Sequence, residues 1–176
     1  MNSIYVSHCF DGKSLLQDVR LDWQQGRIVA LQAGVKPELQ PQIQGLLCAG
    51  FIDIQVNGGG GVLFNQLPDV TALKTISNAH LQFGTTGMLP TVITDSLEVM
   101  QRAADAVAEL LPQPSHTVLG IHFEGPHLSV PKRGVHPTAH IRGLSADELA
   151  LYSRQDLGIK LVTVAPENVN AEQIRQ

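Results

Sequence analysis

The chain has 176 residues, 43% of them hydrophobic, enough for an ordinary domain with a real core. Its net charge of −4 and twelve scattered basic residues argue against a nucleic-acid or other polyanionic partner, and two cysteines, Cys9 and Cys48, without a Cys-x-x-Cys pair argue against a disulfide framework or a thiolate zinc site. No apolar run approaches the ~20 residues of a membrane span, and polar residues such as Asp11 stand where a signal peptide needs an apolar core, so a cytoplasmic protein without membrane contact is expected.

Ile4-Tyr5-Val6, the alternating Val19 to Trp23, and Arg27 to Leu31 after a Gln25-Gly26 turn read as three short strands of a small β module. Pro37 and Pro41 bracket a polar segment, Lys36 to Gln44, that reads as a connection. A boundary is expected near residues 45–49, dividing the chain into domains 1–49 and 50–176. From Gly50 the pattern becomes strand-helix alternation. Strands are predicted over Phe51–Val56, Met88–Ile93, Val118–Phe123 and Ile159–Ala165. Helices are predicted over Pro68–Phe83 and Ser96–Leu111, the latter with Leu97, Met100, Ala104, Val107 and Leu111 on one face. A third helix, Ser145–Leu157, opens with the Ser145-x-x-Glu148 spacing of a capping box, and a fourth starts at Asn170.

Four βα units in a row imply an α/β fold with a parallel sheet, either doubly wound or a barrel. A complete eight-unit barrel needs about 250 residues, so the stretch after Gly50 suits half of one. An open four-stranded sheet would fit the length but leave the β module and the missing strand partners unexplained. The truncated barrel is the preferred reading.

Period two places Asp53, Gln55 and Asn57 on one face of the first barrel strand and Ile52, Ile54 and Val56 on the other. Polar side chains at every second position are costly to bury without partners, which points them toward a polar centre, as a hydrogen-bond network or as part of a site. The following run Gly58–Gly61 permits positive φ and close approach to a ligand or another segment, but it lacks the endings that mark phosphate-binding loops. His122 and Glu124 share a face of the third strand, and a carboxylate at a strand's carboxyl end before Gly125-Pro126 is where a barrel places its chemistry. Glu124 is a candidate metal ligand, although a lone glutamate there commonly serves as a salt bridge or cap. Four of the seven histidines, His122, His127, His136 and His140, crowd this region without the His-Glu-x-x-His spacing of a helical zinc site. Lys132-Arg133-Gly134 in the same loop could meet an anionic group or simply be a solvated basic turn.

Taken together, Gly50 to Gly58 with Gly61 and Phe64-Asn65, Leu89-Pro90-Thr91, His122-x-Glu124-Gly125-Pro126 with Gly134-x-His136, and Val164 to Glu167 resemble the N-acetylglucosamine-6-phosphate deacetylases of the amidohydrolase superfamily. The order and spacing of four motifs make the resemblance specific. It covers nearly the whole chain but only about the first half of the family's length.

The resemblance implies a metal-dependent (β/α)8 TIM barrel, here its first four βα units, plus part of a small β-sandwich to which residues 1–49 contribute. It implies hydrolysis of the N-acetyl group of N-acetylglucosamine 6-phosphate with one divalent ion, zinc by preference and otherwise iron, manganese, cobalt or nickel. Glu124 would bind that metal, and Val135 and His136 would line the sugar-phosphate site; Gln55, Asn57 and His122 are candidates for supporting the ligand from behind, while His122 and His127 fit plain core or loop roles equally well. Two further ligand histidines and the acid–base aspartate are expected beyond residue 176. The family's two-metal members carry His-x-His where this chain has Gln55-Val56-Asn57, and amides are poor zinc ligands, so the single-metal type is implied. A homo-oligomer, dimer or larger, is expected. The alternatives are a non-catalytic half-barrel fragment and, disfavoured by the same motifs, an amidohydrolase acting on cyclic amides.

Overall fold

The structure, a computed structural model, describes residues 1–35, 43–114 and 116–176. They form two compact units, Met1–Gly50 and Phe51–Gln176.

The first unit is one four-stranded sheet of order β3-β2-β1-β4, comprising β1 (Asn2–Phe10), β2 (Leu15–Gln24), β3 (Arg27–Gln32) and β4 (Ile43–Leu47). Positive φ at Gln25 and Gly26 makes the predicted β2–β3 hairpin turn, whose twist matches that of the strands it joins. β4, parallel to β1, corrects the expectation that the chain to Gln44 is connection. The predicted connection otherwise lies at residues 36–42, outside the described residues. Burial along β2 does not alternate as its sequence does: Val19 and Asp22, three apart, are both buried. The β1–β2 register is unbroken through these residues, so the two lie on opposite faces, and the Asp22 carboxylate is buried among its same-face neighbours, accepting from the Ser3 hydroxyl at 2.6 Å and Arg20 Nε at 2.8 Å. Among the described residues only Val6, Cys9 and Val19 form this unit's buried cluster, while Leu15, Ile28, Val29 and Leu46 are exposed.

The second unit carries the parallel sheet: β5 (Phe51–Val56), β8 (Thr85–Ile93), β9 (Gly120–Glu124) and β10 (Ile159–Thr163). These strands lie side by side in chain order, all parallel. A doubly wound sheet reverses its strand order at a switch point. This one never reverses, and right-handed crossovers then put every connecting helix on the same face, as a barrel requires. The helices are α1 (Val70–Leu81), α2 (Leu97–Leu110), α3 (Ala146–Tyr152) and α4 (Ala171–Arg175). Each begins at a side chain that accepts an otherwise unpaired N–H: Asp69, Ser96, Ser145 and Asn170, with complete capping boxes at the last two. Met100, Ala103, Ala104, Val107 and Leu110 of α2 pack with Leu73 and Ile76 of α1 and with Met88, Ile121 and Phe123 of the sheet. Burying each large side chain contributes roughly 1.5–3 kcal/mol. α3 stops at Tyr152 rather than Leu157, because the chain turns so that Arg154 pairs with Asp156 at 2.8 Å and Asp105 of α2 at 2.6 Å. On β5 the apolar face is open, with Ile52 67% and Ile54 56% exposed. β5 is an edge of the described sheet, and of its apolar side chains Val56 is buried in the core that α1 and α2 share with the sheet. No described helix is long and apolar enough to cross a membrane.

The glycine run forms a tiny hairpin, β6 (Gly58–Gly59) against β7 (Val62–Leu63), turning at Gly60 and Gly61 with φ of 60° and 81°. Its close approach is to α1, not to a ligand. The Gly58 carbonyl lies 2.9 Å from His80 Nε2, and a Cβ on Gly59 would sit at the same 2.9 Å from that nitrogen.

The long connection from β9 to α3 is tied down by a buried polar cluster. His127 Nδ1 lies 3.0 Å from the Arg142 carbonyl and must donate to it, leaving Nε2 to accept from the Tyr152 hydroxyl at 3.0 Å. Burial pushes the Tyr152 hydroxyl above its usual range, so it stays a donor. Arg142 bonds Glu148 at 2.6 Å and the Asp95 and His140 carbonyls at 2.9 and 2.7 Å. Burial raises the Glu148 carboxyl, but bonds from the Ser145 N–H and hydroxyl, together with Arg142, outweigh it and keep it ionised. Burial also pushes the His127 imidazole below its ordinary value, against the opposing pull of the Arg142 carbonyl and Glu148. The unfolded chain therefore takes up this proton more readily than the folded one. The stability His127 contributes is complete above pH ~6.5 and is lost as pH falls toward its lowered folded value. Thermal melts from pH 8 to 5 should show a falling Tm whose slope flattens in His127→Gln; an unchanged slope would contradict this role.

Candidate metal-binding active site

The carboxyl ends of β5, β8 and β9 meet around Glu124. Register pairs Ile93 of β8 with Glu124, and Glu124 with Thr163 of β10, so the carboxylate sits level with the ends of its neighbours. From β5, two strands away, Gln55 donates its Nε2–H to Glu124 Oε2 at 2.8 Å. The other oxygen, Oε1, lies 3.8 Å from His136 Nε2, too long for a direct hydrogen bond. The carboxylate is 20% exposed, so one oxygen is tethered and the other is open to a ligand.

Below it on the same strand, His122 is buried and joins three other strands. Its Nδ1 lies 3.0 Å from the Ile54 carbonyl of β5 and 3.3 Å from Thr91 Oγ1 of β8, and its Nε2 lies 2.8 Å from Thr163 Oγ1 of β10. The carbonyl can only accept, so Nδ1 carries the hydrogen and Nε2 accepts from Thr163. Burial lowers the His122 pKa, opposed by Glu124 and the Ile54 carbonyl. His122 is thus a neutral cross-brace beneath the carboxylate.

The expected inward face of β5 is realised in part. Asp53 caps the Gln55 N–H at 3.0 Å and Gln55 reaches Glu124, whereas Asn57 is exposed at the start of the glycine hairpin, its carbonyl accepting the Phe64 N–H at 2.9 Å. His136 is buried near Glu124, while its neighbour Val135 is 87% exposed. Lys132 is exposed, and Arg133 turns back to bond the His136 carbonyl at 3.0 Å. His127 belongs to the loop anchor described above, not to the Glu124 cluster. No three His, Cys, Asp or Glu side chains among the described residues gather as a metal site.

Two further residues shape the site: Thr94 carries no distinctive sequence signal, and Asn65 stands out only within the Phe64-Asn65 part of the family resemblance. Thr94, buried directly after β8, contacts His136 Nδ1 at 2.9 Å and the Glu124 carbonyl at 3.4 Å. Asn65 clamps the end of β8, its Oδ1 accepting the Ile93 N–H at 2.9 Å and its Nδ2 donating to the Ile93 carbonyl at 3.0 Å.

No family model matches the chain. Over 132 residues it is 61% identical to an N-acetylgalactosamine-6-phosphate deacetylase of Shewanella sp. strain ANA-3, an alignment covering 75% of this chain and 34% of that protein. It is 38% identical over 122 residues to the N-acetylglucosamine-6-phosphate deacetylase of Haemophilus influenzae, covering 69% and 32%. The crystal structure of the N-acetylglucosamine-6-phosphate deacetylase from Pasteurella multocida superposes with a TM-score of 0.83 at 36% identity, covering 95% of this chain and 46% of that one. The chain thus spans about a third of the curated relatives it matches. The parallel sheet is a segment of the amidohydrolase (β/α)8 barrel, and by sequence and fold the chain is similar to the N-terminal part of these amino-sugar-6-phosphate deacetylases.

Proposed function

We propose that this chain supplies the metal-holding carboxylate and part of the substrate pocket for hydrolytic removal of the N-acetyl group from an amino-sugar 6-phosphate, giving the free amino sugar phosphate and acetate. The carrying observation is Glu124: a carboxylate at the carboxyl end of the third barrel strand, one oxygen held by Gln55 and the other open beside an imidazole. Such an oxygen suits a borderline divalent ion, zinc by preference. The donor set here is incomplete, and two histidine ligands and the acid–base aspartate would come from residues beyond 176. When bound, the ion supplies a Lewis acid and an acidified water. Gln55 fixes the carboxylate's rotamer, His122 braces its strand, and His136 with Val135 positions the sugar. An amide that already donates to Glu124 is poorly disposed to bind a second ion, which supports one metal per site.

The family resemblance points to the gluco epimer, and the 61% identity to a protein named for the galacto epimer favours that one. The two differ only at C4, so both belong in the assay. In this reading residues 1–49 are one layer of a small β-sandwich, which fits the exposed apolar residues of that sheet, and the reaction runs in the cytoplasm, where a phosphate ester is retained.

In a polypeptide that continues this chain through the length of its relatives, Glu124→Gln should lower bound metal and kcat by more than the roughly 10–100-fold that loss of an outer hydrogen-bond partner costs. Full metal content with ordinary turnover would refute the ligand role. The 176 residues alone should hydrolyse neither epimer. With β5 and β10 as open parallel edges, they should sediment as a dimer or larger species in analytical ultracentrifugation. A monodisperse, active monomer would contradict both expectations.

A further inference from the structure

We propose that Thr94 is a positioning residue that sets the tautomer of His136, and so decides which kind of atom the ring presents beside Glu124. Thr94 is buried at the carboxyl end of β8, and both its polar groups face the same ring nitrogen. Its backbone N–H points at His136 Nδ1 at 3.4 Å, and its hydroxyl lies 2.9 Å from that atom. A backbone N–H can only donate, so Nδ1 must offer a lone pair and the hydrogen of the neutral ring resides on Nε2. The opposite tautomer would set two donors against each other in a buried site. The hydroxyl's single hydrogen has two acceptors in reach, Nδ1 at 2.9 Å and the Glu124 carbonyl at 3.4 Å, and the shorter contact again favours a lone pair on Nδ1.

The approach depends on Gly125. Its φ is +88°, and a Cβ there would stand 2.2 Å from Thr94 Oγ1. The Arg133 bond to the His136 carbonyl holds the same histidine from its backbone side.

Two chemical consequences follow. The lone pair of His136 is turned into Thr94 and its outward nitrogen carries hydrogen, so His136 is not a metal ligand although Nε2 stands 3.8 Å from Glu124 Oε1. What Nε2–H can meet is an acceptor oxygen, the chemistry of a carbonyl or a phosphate, which rests on the proposed substrate class. The tautomer assignment does not rest on it.

Long-range ¹H–¹⁵N correlation spectra of the full ¹⁵N-labelled chain at about pH 8, above the ordinary imidazole range, read the tautomer directly, and His136→Gln identifies the His136 signals. The expected pattern is a protonated Nε2 coupled to both ring protons and an unprotonated Nδ1. Thr94→Ser should preserve it, whereas Thr94→Val, which keeps the backbone N–H but loses the shorter hydroxyl contact, should weaken the preference and move the two nitrogen shifts part of the way toward averaged values. A protonated Nδ1 or averaged shifts in the parent chain, or a Thr94→Val spectrum identical to the parent's, would overturn the proposal. Because the parent and Thr94→Ser spectra decide the tautomer by themselves, a poorly folded valine variant leaves the test intact. Absent deacetylation with the expected tautomer would count against the proposed function only.

Discussion

The site depends on the curvature of the parallel sheet, which is held by polar contacts across its inner face. β5 and β9 are separated by β8, so in a flat sheet they would lie nearly 10 Å apart. Yet His122 of β9 bonds the Ile54 carbonyl of β5, and Gln55 of β5 bonds Glu124 of β9. The first, from a ring to a backbone atom two strands away, requires the strands to bend toward one another on the side that carries these residues, and the second is compatible with the same bend. An inner face bearing histidine, threonine and carboxylate cannot be stabilised by apolar collapse. Each group must find a partner, and the partners available are on the neighbouring strands.

That requirement links fold to chemistry. The apolar outer face is packed by α1, α2 and α3 and sets the strand order, while the polar inner face sets how far the ends converge. Glu124 then sits where one oxygen is fixed by Gln55 and the other is left for a ligand. The loop that brings in His136 is held separately, by the buried Arg142–Glu148 pair and by His127 on Tyr152. Two independent anchors thus fix the two sides of the Glu124 cluster, which is how a site at loop ends keeps its geometry.

Much of this was legible in the sequence where local rules agree. The α2 face, the Ser145–Glu148 capping box, the Gln25-Gly26 turn and the shared face of His122 and Glu124 follow from periodicity and cap chemistry. β4 was hidden because Gly45, with a φ of 144°, interrupts a short strand that otherwise reads as connection. The burial of Asp22 depends on Ser3 across the strand pair and on Arg20, a tertiary pairing that alternation alone does not reveal. Thr94 was illegible for another reason: a threonine at the end of an apolar strand is ordinary, and its importance comes from a histidine 42 positions away that a loop brings back to it. The glycine run showed the converse, a conspicuous motif whose close approach is to α1. The openness of Ile52 and Ile54 could not be read from β5 itself, since its alternation predicts an apolar face that is covered.

We propose that this curvature builds a metal site on Glu124 with Gln55 as its tether. It is tested most directly by anomalous diffraction at the zinc edge from crystals of a polypeptide that continues this chain through the length of its relatives. The account predicts a single ion at about 2.0–2.2 Å from Glu124 Oε1, with Gln55 still bonded to Oε2. An ion bound by Gln55 or Asn57, or a fully occupied ion that leaves Glu124 uncoordinated, would contradict it.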